Sequence, residues 1–337
     1  MTNEKSDPAA RLDALLARHP LPTRSRRPEL FTEKVTIGGL EAEVAGIAVE
    51  VDGECITGSA ASVGAPPVDR AYYELVERLA AVAFWREPER RFPVRDRRGT
   101  VLGEATPGEI SLPAAPDGLR WARSNGVALG YDFAAAAHRA RLELVERDAV
   151  LRSWYGEGRP ERLIRTTPQL SAELGELYDV EAHAFGADEA NVVGVFAFPR
   201  GVGPLVYGFA AESTLESATL GAARECVQRL AFLWDAELPG ASPAPSATPD
   251  FHQEFYLYPG NAPRIVDWLS GGHERFRGAF GVSRDVASPT FVDITPDWLR
   301  GLSVAQAVPR GHAPLCFGWG HPLLRLASPE LMVHPIA

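Results

Sequence analysis

The pentapeptide Glu-Leu-Val-Glu-Arg occurs twice in this chain, at residues 74–78 and 143–147. Each copy is followed by a tryptophan, Trp85 or Trp154, eleven residues after its first glutamate. In a helix, positions i and i+3 lie on one face with Cβ atoms about 5–6 Å apart, so each copy places two carboxylates side by side. Proteins bind Mg2+ through one or two carboxylates together with substrate phosphates. The repeat therefore predicts a metal and polyanion site formed by four side chains: Glu74, Glu77, Glu143 and Glu146.

Both copies lie in segments with the apolar spacing of a helix. The first stripe comprises Tyr72, Leu75, Val76, Leu79 and Val82, and the second, less regular one comprises Leu142, Val145, Ala149 and Leu151. The glutamates stand beside these stripes rather than in them. The alternative is that each pair is simply the solvated face of its helix, with Arg78 or Arg147 as a local counter-charge.

A third helix is predicted over residues 213–234, and it repeats the i, i+3 arrangement with Glu225 and Gln228. An amide and a carboxylate on one face can hold a ribose, a phosphate or a metal. The same two side chains can equally be ordinary helix surface.

The remaining elements alternate without βαβ regularity, which predicts an α+β fold rather than a doubly wound sheet. Strands are expected within residues 30–57, at 192–198 paired with 205–209, and at 255–258, 290–294 and 315–319; a further helix is expected at 261–269. Residues 1–28 are predicted to be a flexible segment or to dock on a partner, and residues 29–337 to form a single domain. The Pro-, Ala- and Ser-rich stretch at 238–249 is predicted to be a mobile surface loop.

Composition limits the class of partner. The chain of 337 residues has a formal net charge of −10, which argues against a nucleic acid held by bulk electrostatics. Its cysteines, Cys55, Cys226 and Cys316, show no metal-ligand spacing, and their odd number indicates free thiols in a reducing compartment. No apolar run has the length of a signal peptide or a membrane span, so a cytoplasmic protein without a membrane partner is expected.

Several motifs, in order along the chain, resemble those of the YcaO superfamily. The first is Ser-Asn-Gly-Val-Ala-Leu-Gly at 124–130, followed by Leu-Glu-Leu-Val-Glu-Arg-Asp-Ala at 142–149. Residues 74–78 are similar to the first glutamate helix of that family, and Glu-Cys-Val-Gln-Arg at 225–229 to its Glu-x-x-Gln element. Residues 291–295, 301–304 and 308–318 resemble its C-terminal run.

The resemblance implies a YcaO-like fold, with mixed or antiparallel sheets and three long glutamate-bearing helices around a nucleotide site. It also implies an ATP- and Mg2+-dependent enzyme that phosphorylates a peptide amide oxygen, so that a nucleophile can add and the oxygen leave as phosphate. By this likeness the four glutamates of the repeat hold Mg2+, and the nucleotide is bound by Asn125, Arg147, Glu225, Gln228 and Arg229. Each of the two arginines can also be a helix-surface ion pair.

Three positions depart from the family pattern. The glycine-rich stretch before the first helix is here Thr-Gly-Ser-Ala at 57–60, and Arg70-Ala71 replaces a Ser-Ala pair. Arg229 follows Gln228 directly, so that Leu230 fills the place expected for arginine. These changes leave the metal carboxylates intact but alter expected contacts of the triphosphate.

The substrate implied by the resemblance is a ribosomally made precursor peptide. Family members form azolines, amidines or thioamides, and azoline enzymes typically end in a proline-rich tail that reaches the active site. The ending Val-His-Pro-Ile-Ala at 333–337 is either a reduced tail, with His334 and Pro335 as catalytic candidates, or an ordinary strand end. No leader-binding domain precedes residue 47, which leaves a standalone bottromycin-type enzyme, a separate leader-binding or TfuA-like partner, a homodimer and a non-catalytic scaffold all open.

Overall fold

The computed structural model describes residues 7–164, 167–282 and 289–337, and it has the α+β architecture with antiparallel sheets that was predicted. Its helices are α1 (Pro8–Arg18), α2 (Val68–Trp85), α3 (Pro107–Ile110), α4 (Phe133–Trp154), α5 (Pro168–Leu174), α6 (Leu215–Leu233), α7 (Pro249–Leu257) and α8 (Ala262–Leu269). The strands are β1 (Glu29–Ile37), β2 (Leu40–Val51), β3 (Glu54–Val63), β4 (Phe92–Arg95), β5 (Val101–Ala105), β6 (Leu119–Trp121), β7 (Val127–Gly130), β8 (Glu161–Leu163), β9 (Tyr178–Phe185), β10 (Asn191–Pro199), β11 (Val206–Glu212), β12 (Phe291–Asp293), β13 (Ser303–Ala307) and β14 (Cys316–Gly318).

The chain divides into two compact units, and α4 contributes its first turns to one and its glutamate-bearing part to the other. The first unit takes residues up to Ser111, Gly126–Arg141 and the segment that ends at Val308. The second takes Leu112–Asn125, the long stretch from Leu142, and Pro309–Ala337. The prediction that residues 29–337 act as one catalytic domain stays a prediction.

The first unit contains an antiparallel sheet of β1, β2 and β3 and a five-stranded sheet in the order β5-β4-β12-β13-β7. Helix α2 lies directly on β3 because Gly58 has no side chain. A Cβ at Gly58 would come 2.2 Å from the carbonyl oxygen of Ala71 and 2.3 Å from the backbone nitrogen of Leu75. This close approach sets the position of the first glutamate pair, which α2 carries.

Within the N-terminal segment, Pro8–Arg18 forms α1, and residues 1–6 lie outside the described residues. That residues 1–28 are flexible or dock on a partner stays a prediction. The Asp7 side chain caps the helix by accepting a hydrogen bond from the Ala9 backbone N–H at 3.1 Å. Leu12 and Leu15 are buried in the same hydrophobic core as α2. Because one face of this short helix is apolar, it packs within its own unit.

The second unit is built on the antiparallel sheet β11-β10-β9-β8, in which β10 and β11 pair as predicted. Helix α6 packs on this sheet above Gly208 of β11, where a Cβ would come 2.3 Å from the Cys226 backbone nitrogen. Cys226 is buried, as is Cys316 in β14, which pairs with β6. The core of the unit is rich in aromatic side chains, including Trp154, which follows the second glutamate pair.

The strand predicted at residues 255–258 is wrong, because these residues belong to the end of α7 and the turn that follows. The apolar and aromatic composition suggested a strand, but the helix begins upstream at a signal with a clear physical role. Thr248 accepts a hydrogen bond from the Phe251 N–H at 3.2 Å, and Pro249 occupies the first helical position. The preceding stretch from 238 has no helix or strand, and its predicted mobility stays a prediction. Among the described residues, no helix has the length and apolar character needed to cross a membrane.

Candidate functional site

The first glutamate pair lies on α2, beside the buried stripe formed by Tyr72, Leu75 and neighbouring residues. Glu74 Oε2 accepts a hydrogen bond from the Ser59 backbone N–H at 3.0 Å, and Glu74 Oε1 lies 2.5 Å from Arg78 Nη2. Burial raises the pKa of Glu74, whereas Arg78 and the Ser59 N–H oppose the rise. The altered stretch at 57–60 thus supplies a backbone donor to the first carboxylate of the pair.

The second carboxylate of this pair, Glu77, is held by the strand that follows the Ser-Asn-Gly turn. Its Oε2 accepts a hydrogen bond from the Leu129 N–H at 2.9 Å. The Leu129 carbonyl in turn accepts from Arg139 Nη1 at 3.3 Å. Hydrogen bonds from backbone N–H groups to a carboxylate are charge-assisted, so they fix the orientation of both side chains of the pair.

The second pair begins with Glu143 on α4, and the structure brings this residue together with two predicted nucleotide ligands. Glu143 Oε1 forms an ion pair with Arg147 Nη2 at 2.5 Å. Arg147 Nη1 also lies 3.4 Å from the side-chain oxygen of Asn125 and 3.4 Å from the carbonyl oxygen of Ser124. Asn125 is 5% exposed. Arg147 therefore joins the second glutamate helix to the turn that carries Asn125.

Glu146 occupies the most unusual electrostatic environment of the site. Burial raises its pKa to about 8, and the neighbouring carboxylates of Glu143 and Glu225 contribute to the rise. Arg147 and a hydrogen bond from the Ala211 backbone act in the opposite direction. Carboxylates that repel one another in a partly desolvated place favour a divalent cation, because the cation offsets their charge and takes the place of the proton.

Helix α6 brings its two predicted ligands to the same unit. Glu225 is exposed, and its charge helps to raise the pKa of Glu146. Gln228 lies one turn further along α6 and is half-buried. The guanidinium carbon of Arg229 stands 4.4 Å from the centre of the Tyr207 ring, in a cation–π arrangement. Leu230, which fills the place expected for an arginine, is fully buried. The phosphate role of Arg229 stays a prediction.

The donor set suits Mg2+ that arrives with phosphates rather than a metal ion alone. Within the described residues, no group of three or more His, Cys, Asp or Glu side chains has the arrangement of a metal site. Mg2+ retains waters and commonly takes only one or two protein carboxylates, with phosphate oxygens filling further positions. The glutamates of α4, with Glu143 and Glu146 one helical turn apart, fit that mode of binding.

The two tail residues predicted as catalytic lie in the core of the second unit. His334 is 1% exposed, and its Nε2 donates to the Cys316 carbonyl at 2.7 Å. His252 Nδ1 donates to the His334 carbonyl at 3.0 Å, while His252 Nε2 accepts from the Gly318 N–H at 3.0 Å. Pro335 is buried as well. In the described part of the chain, these hydrogen bonds of the two histidines go to backbone groups rather than to the glutamates.

Burial determines the charge of this histidine cluster. It lowers the pKa of His252 to about 4 and that of His321 to about 4, and it holds the pKa of His334 well below its usual range. The three imidazoles are therefore neutral at pH 7. The contacts of His334 are those of an anchor for the tail.

Two features were not predicted from the sequence: the backbone donors that hold the first glutamate pair, and an ion pair on α4. The Ser59 and Leu129 N–H groups that hold the first pair carry no sequence signal, because every residue other than proline has such a donor. Asp148 forms an ion pair on α4 with the buried Arg152, and their i, i+4 spacing was a usable signal.

Comparison with known proteins agrees with this architecture. The family model of the YcaO cyclodehydratases, described as ATP- and Mg2+-binding, matches residues 105–280, just over half of the 337 residues. The matched range includes Asn125, Glu143, Glu146, Glu225 and Gln228. A search of curated proteins gave no significant match.

Two solved structures share the fold. YcaO from Methanopyrus kandleri, bound with AMPPCP and Mg2+, is 18% identical over 90% of this chain and 91% of its own, with a TM-score of 0.59. A heterocyclase in complex with substrate and cofactor is 16% identical over 91% of this chain, with a TM-score of 0.52. The match covers 53% of that heterocyclase, so this chain spans about half its length. At these identities the likeness shows the fold alone.

Proposed function

The chain belongs to the YcaO family, and from this premise we propose that it is an ATP- and Mg2+-dependent enzyme that phosphorylates a backbone amide oxygen of a ribosomally made precursor peptide. The family is one of ATP- and Mg2+-binding cyclodehydratases, in line with the cofactors predicted from the sequence. The observation that carries the proposal is the arrangement around Glu143: Arg147 pairs with this carboxylate at 2.5 Å and lies 3.4 Å from the Asn125 side-chain oxygen. The charges of Glu143 and Glu225 also help to raise the pKa of Glu146.

Each carboxylate pair is proposed to hold Mg2+. Bound Mg2+ and ATP would supply the phosphoryl group and the charge neutralisation that phosphoryl transfer needs. Glu143 and Glu146 are proposed as ligands on α4, and Glu74 and Glu77 as ligands on α2. The backbone hydrogen bonds to Glu74 and Glu77 already fix those carboxylates before any metal binds. This preorganisation supports a binding role over that of a solvated helix face.

Arg147 and Asn125 are proposed to meet the nucleotide together. The ion pair keeps Glu143 neutralised in the absence of a cation. With a cation bound at Glu143, the Arg147 guanidinium would be available to a phosphate oxygen, next to the Asn125 side chain. Glu225 and Gln228 complete the proposed nucleotide ligands on α6, with Arg229 as a further cation on the same helix.

The reaction proposed for the activated amide is cyclodehydration, which yields an azoline or a macroamidine. A side-chain thiol, hydroxyl or amine of the same peptide adds to the amide carbon, and the amide oxygen leaves as phosphate, so the reaction conserves all atoms. Because the tail is buried, residues 331–334 are proposed to help hold the second unit together. A direct catalytic role of His334 and Pro335 is a separate proposal, which the tail variants in the Discussion can test. Thioamide formation with a partner protein is the alternative reaction.

A non-catalytic scaffold is the alternative from another class of function. It is favoured by the departures from the family pattern at residues 57–60 and at Arg70. The test is phosphate release from ATP by the purified protein, measured with and without Mg2+. Release that requires Mg2+ and disappears in Glu146→Gln supports the enzyme, whereas nucleotide binding without release, with or without peptide, supports the scaffold.

A further inference from the structure

An ion network centred on the buried side chain of Arg152 lies on the side of α4 that faces away from the glutamates. Arg152 is 5% exposed, and its Nε donates to Asp148 Oδ1 and Oδ2 at 2.9 and 3.0 Å. Its Nη1 donates to Glu157 Oε2 at 2.8 Å. The guanidinium is thus paired with two carboxylates in a place that excludes most of the solvent.

The same network reaches the backbone of two segments that are distant in sequence. Arg152 Nη1 donates to the Val282 carbonyl at 3.2 Å, and Nη2 donates to the Gly311 carbonyl at 3.1 Å. Asp148 Oδ1 accepts from the Ala313 N–H at 2.5 Å. The ion pair of α4 is therefore fastened to the chain around residues 157, 282 and 311–313, all within the second unit.

Helix geometry relates this network to the second glutamate pair. At about 100° per residue, Arg152 lies about 180° around the helix from Glu143, and Asp148 about 160° from Glu146. Contacts on the back of a helix that fix its rotation also fix the direction in which the front side chains point. A small rotation of α4 would swing both carboxylates away from a common ligand position.

Stability alone does not account for such a network. A buried ion pair loses hydration on folding, and apolar side chains of similar volume often stabilise a protein equally well. Apolar contacts have no preferred direction, however, whereas the planar guanidinium binds its acceptors in a fixed geometry. A directional contact is useful where the rotation of a helix has to be defined.

We propose that Asp148 and Arg152 are positioning residues, which fix the rotation of α4 and so aim Glu143 and Glu146 at Mg2+. This inference rests on the proposed function of that pair. It assigns to the network a role in metal affinity in addition to its contribution to folding.

The test compares the Mg2+ concentration required for half-maximal binding of AMPPCP, measured by calorimetry, with the thermal unfolding midpoint of each variant. Arg152→Lys keeps the charge but loses the planar fork, and Asp148→Asn keeps an oxygen acceptor for Ala313 but loses the charge. We expect both folded variants to require at least tenfold more Mg2+ than the wild type, with binding restored at high Mg2+. Ile265 of α8 is fully buried in the hydrophobic core. Ile265→Val therefore provides a destabilised control whose Mg2+ requirement should not change.

The outcomes separate this inference from the proposed function. Wild-type protein that binds AMPPCP without regard to Mg2+ would overturn both. Mg2+-dependent binding in the wild type, with the same Mg2+ requirement in the folded variants, would overturn the positioning role alone. The positioning role would also be overturned if the network variants and Ile265→Val, at matched loss of stability, showed the same increase in Mg2+ requirement. It would likewise be overturned if both network variants failed to fold, because the network would then serve folding only.

Discussion

Gly208 of β11 lies directly beneath Glu225 of α6: a Cβ at Gly208 would come 2.4 Å from the Cβ of Glu225 and 2.5 Å from the carbonyl oxygen of Ala222. Only glycine permits this approach, since a distance of that size is far inside van der Waals contact. One residue without a side chain thereby sets the distance between α6 and the sheet, and with it the position of Glu225, whose charge helps to raise the pKa of Glu146.

Replacing Gly208 by alanine should therefore affect both the fold and the site. We expect Gly208→Ala to lower the free energy of unfolding by about 1–3 kcal/mol, as overpacking does, and to weaken Mg2+-dependent nucleotide binding by displacing α6. Urea unfolding and calorimetry measure the two effects. Gly201→Ala is the matched control, because no atom lies within 4 Å of the Cβ it would add. Wild-type behaviour of Gly208→Ala would mean that α6 is not held at this distance.

Neutralising the second pair should separate catalysis from stability. Glu143→Gln and Glu146→Gln are each expected to abolish Mg2+-dependent ATP turnover. Glu146→Gln should leave the thermal unfolding midpoint unchanged or higher without Mg2+, because it removes a buried acid that is expensive to ionise. The exposed Glu176→Gln serves as the control for the loss of one charge. Turnover that persists in both site variants would remove these residues from the metal site.

Acid should destabilise the protein through its buried histidines. His252 and His321 have pKa values of about 4 in the folded state, against about 6.5 when unfolded. Between these values the unfolded chain binds more protons, so the free energy of unfolding falls as the pH is lowered from 6.5 towards 4. Each histidine accounts for a loss of about 3 kcal/mol over this window.

Urea unfolding across pH 4–8 measures that dependence. His252→Asn should make the decline shallower, because it removes one of the buried histidines with a lowered pKa and keeps a donor for the His334 carbonyl. The exposed His138→Gln should leave the slope unchanged. An equally steep decline in His252→Asn would assign the acid sensitivity to other residues.

We expect the C-terminal tail, residues 333–337, to contribute mainly to the stability of the fold. Deleting residues 333–337 removes the buried side chains of Val333, His334 and Ile336, together with the carbonyls that Tyr256 and His252 hold. We expect a loss of at least about 3 kcal/mol in the free energy of unfolding, measured by urea titration. Removal of the exposed Ala337 alone is the control, and it should be nearly neutral.

His334→Gln tests a chemical role of the tail more finely, since the amide can still donate to the Cys316 carbonyl. If His334 only anchors the tail, this folded variant should retain nucleotide binding and peptide modification. A selective loss of peptide modification, with ATP binding intact, would show that His334 takes part in the reaction.

Local parts of the site could be predicted from the sequence, because helix geometry relates near neighbours. The i, i+3 spacing placed Glu74 beside Glu77 on α2 and Glu143 beside Glu146 on α4, and the ion pair between Glu143 and Arg147 follows from i, i+4 spacing. The proximity of Glu225 to Glu146 could not be derived in this way. It depends on the packing of α6 against β11, between residues far apart in the chain, and only the family resemblance anticipated it.

The incorrect strand in the predicted fold has a similar physical cause. Phe255 and Tyr256 have strong strand propensity, but tertiary contacts and a helix start at Thr248 override it. In α7, Tyr256 and His252 face the tail, where their side chains bind the carbonyls of Val333 and His334. Those partners are about 80 residues away, and no local pattern reveals them.

The glutamates of α4 are proposed to bind a nucleotide through Mg2+. Calorimetric titration of AMPPCP into the wild type and Glu146→Gln, with and without Mg2+, tests it most directly. We expect binding by the wild type that requires Mg2+ and is lost in Glu146→Gln, while both proteins unfold at similar temperatures. Equal binding by the two proteins, or binding by the wild type that does not depend on Mg2+, would contradict it.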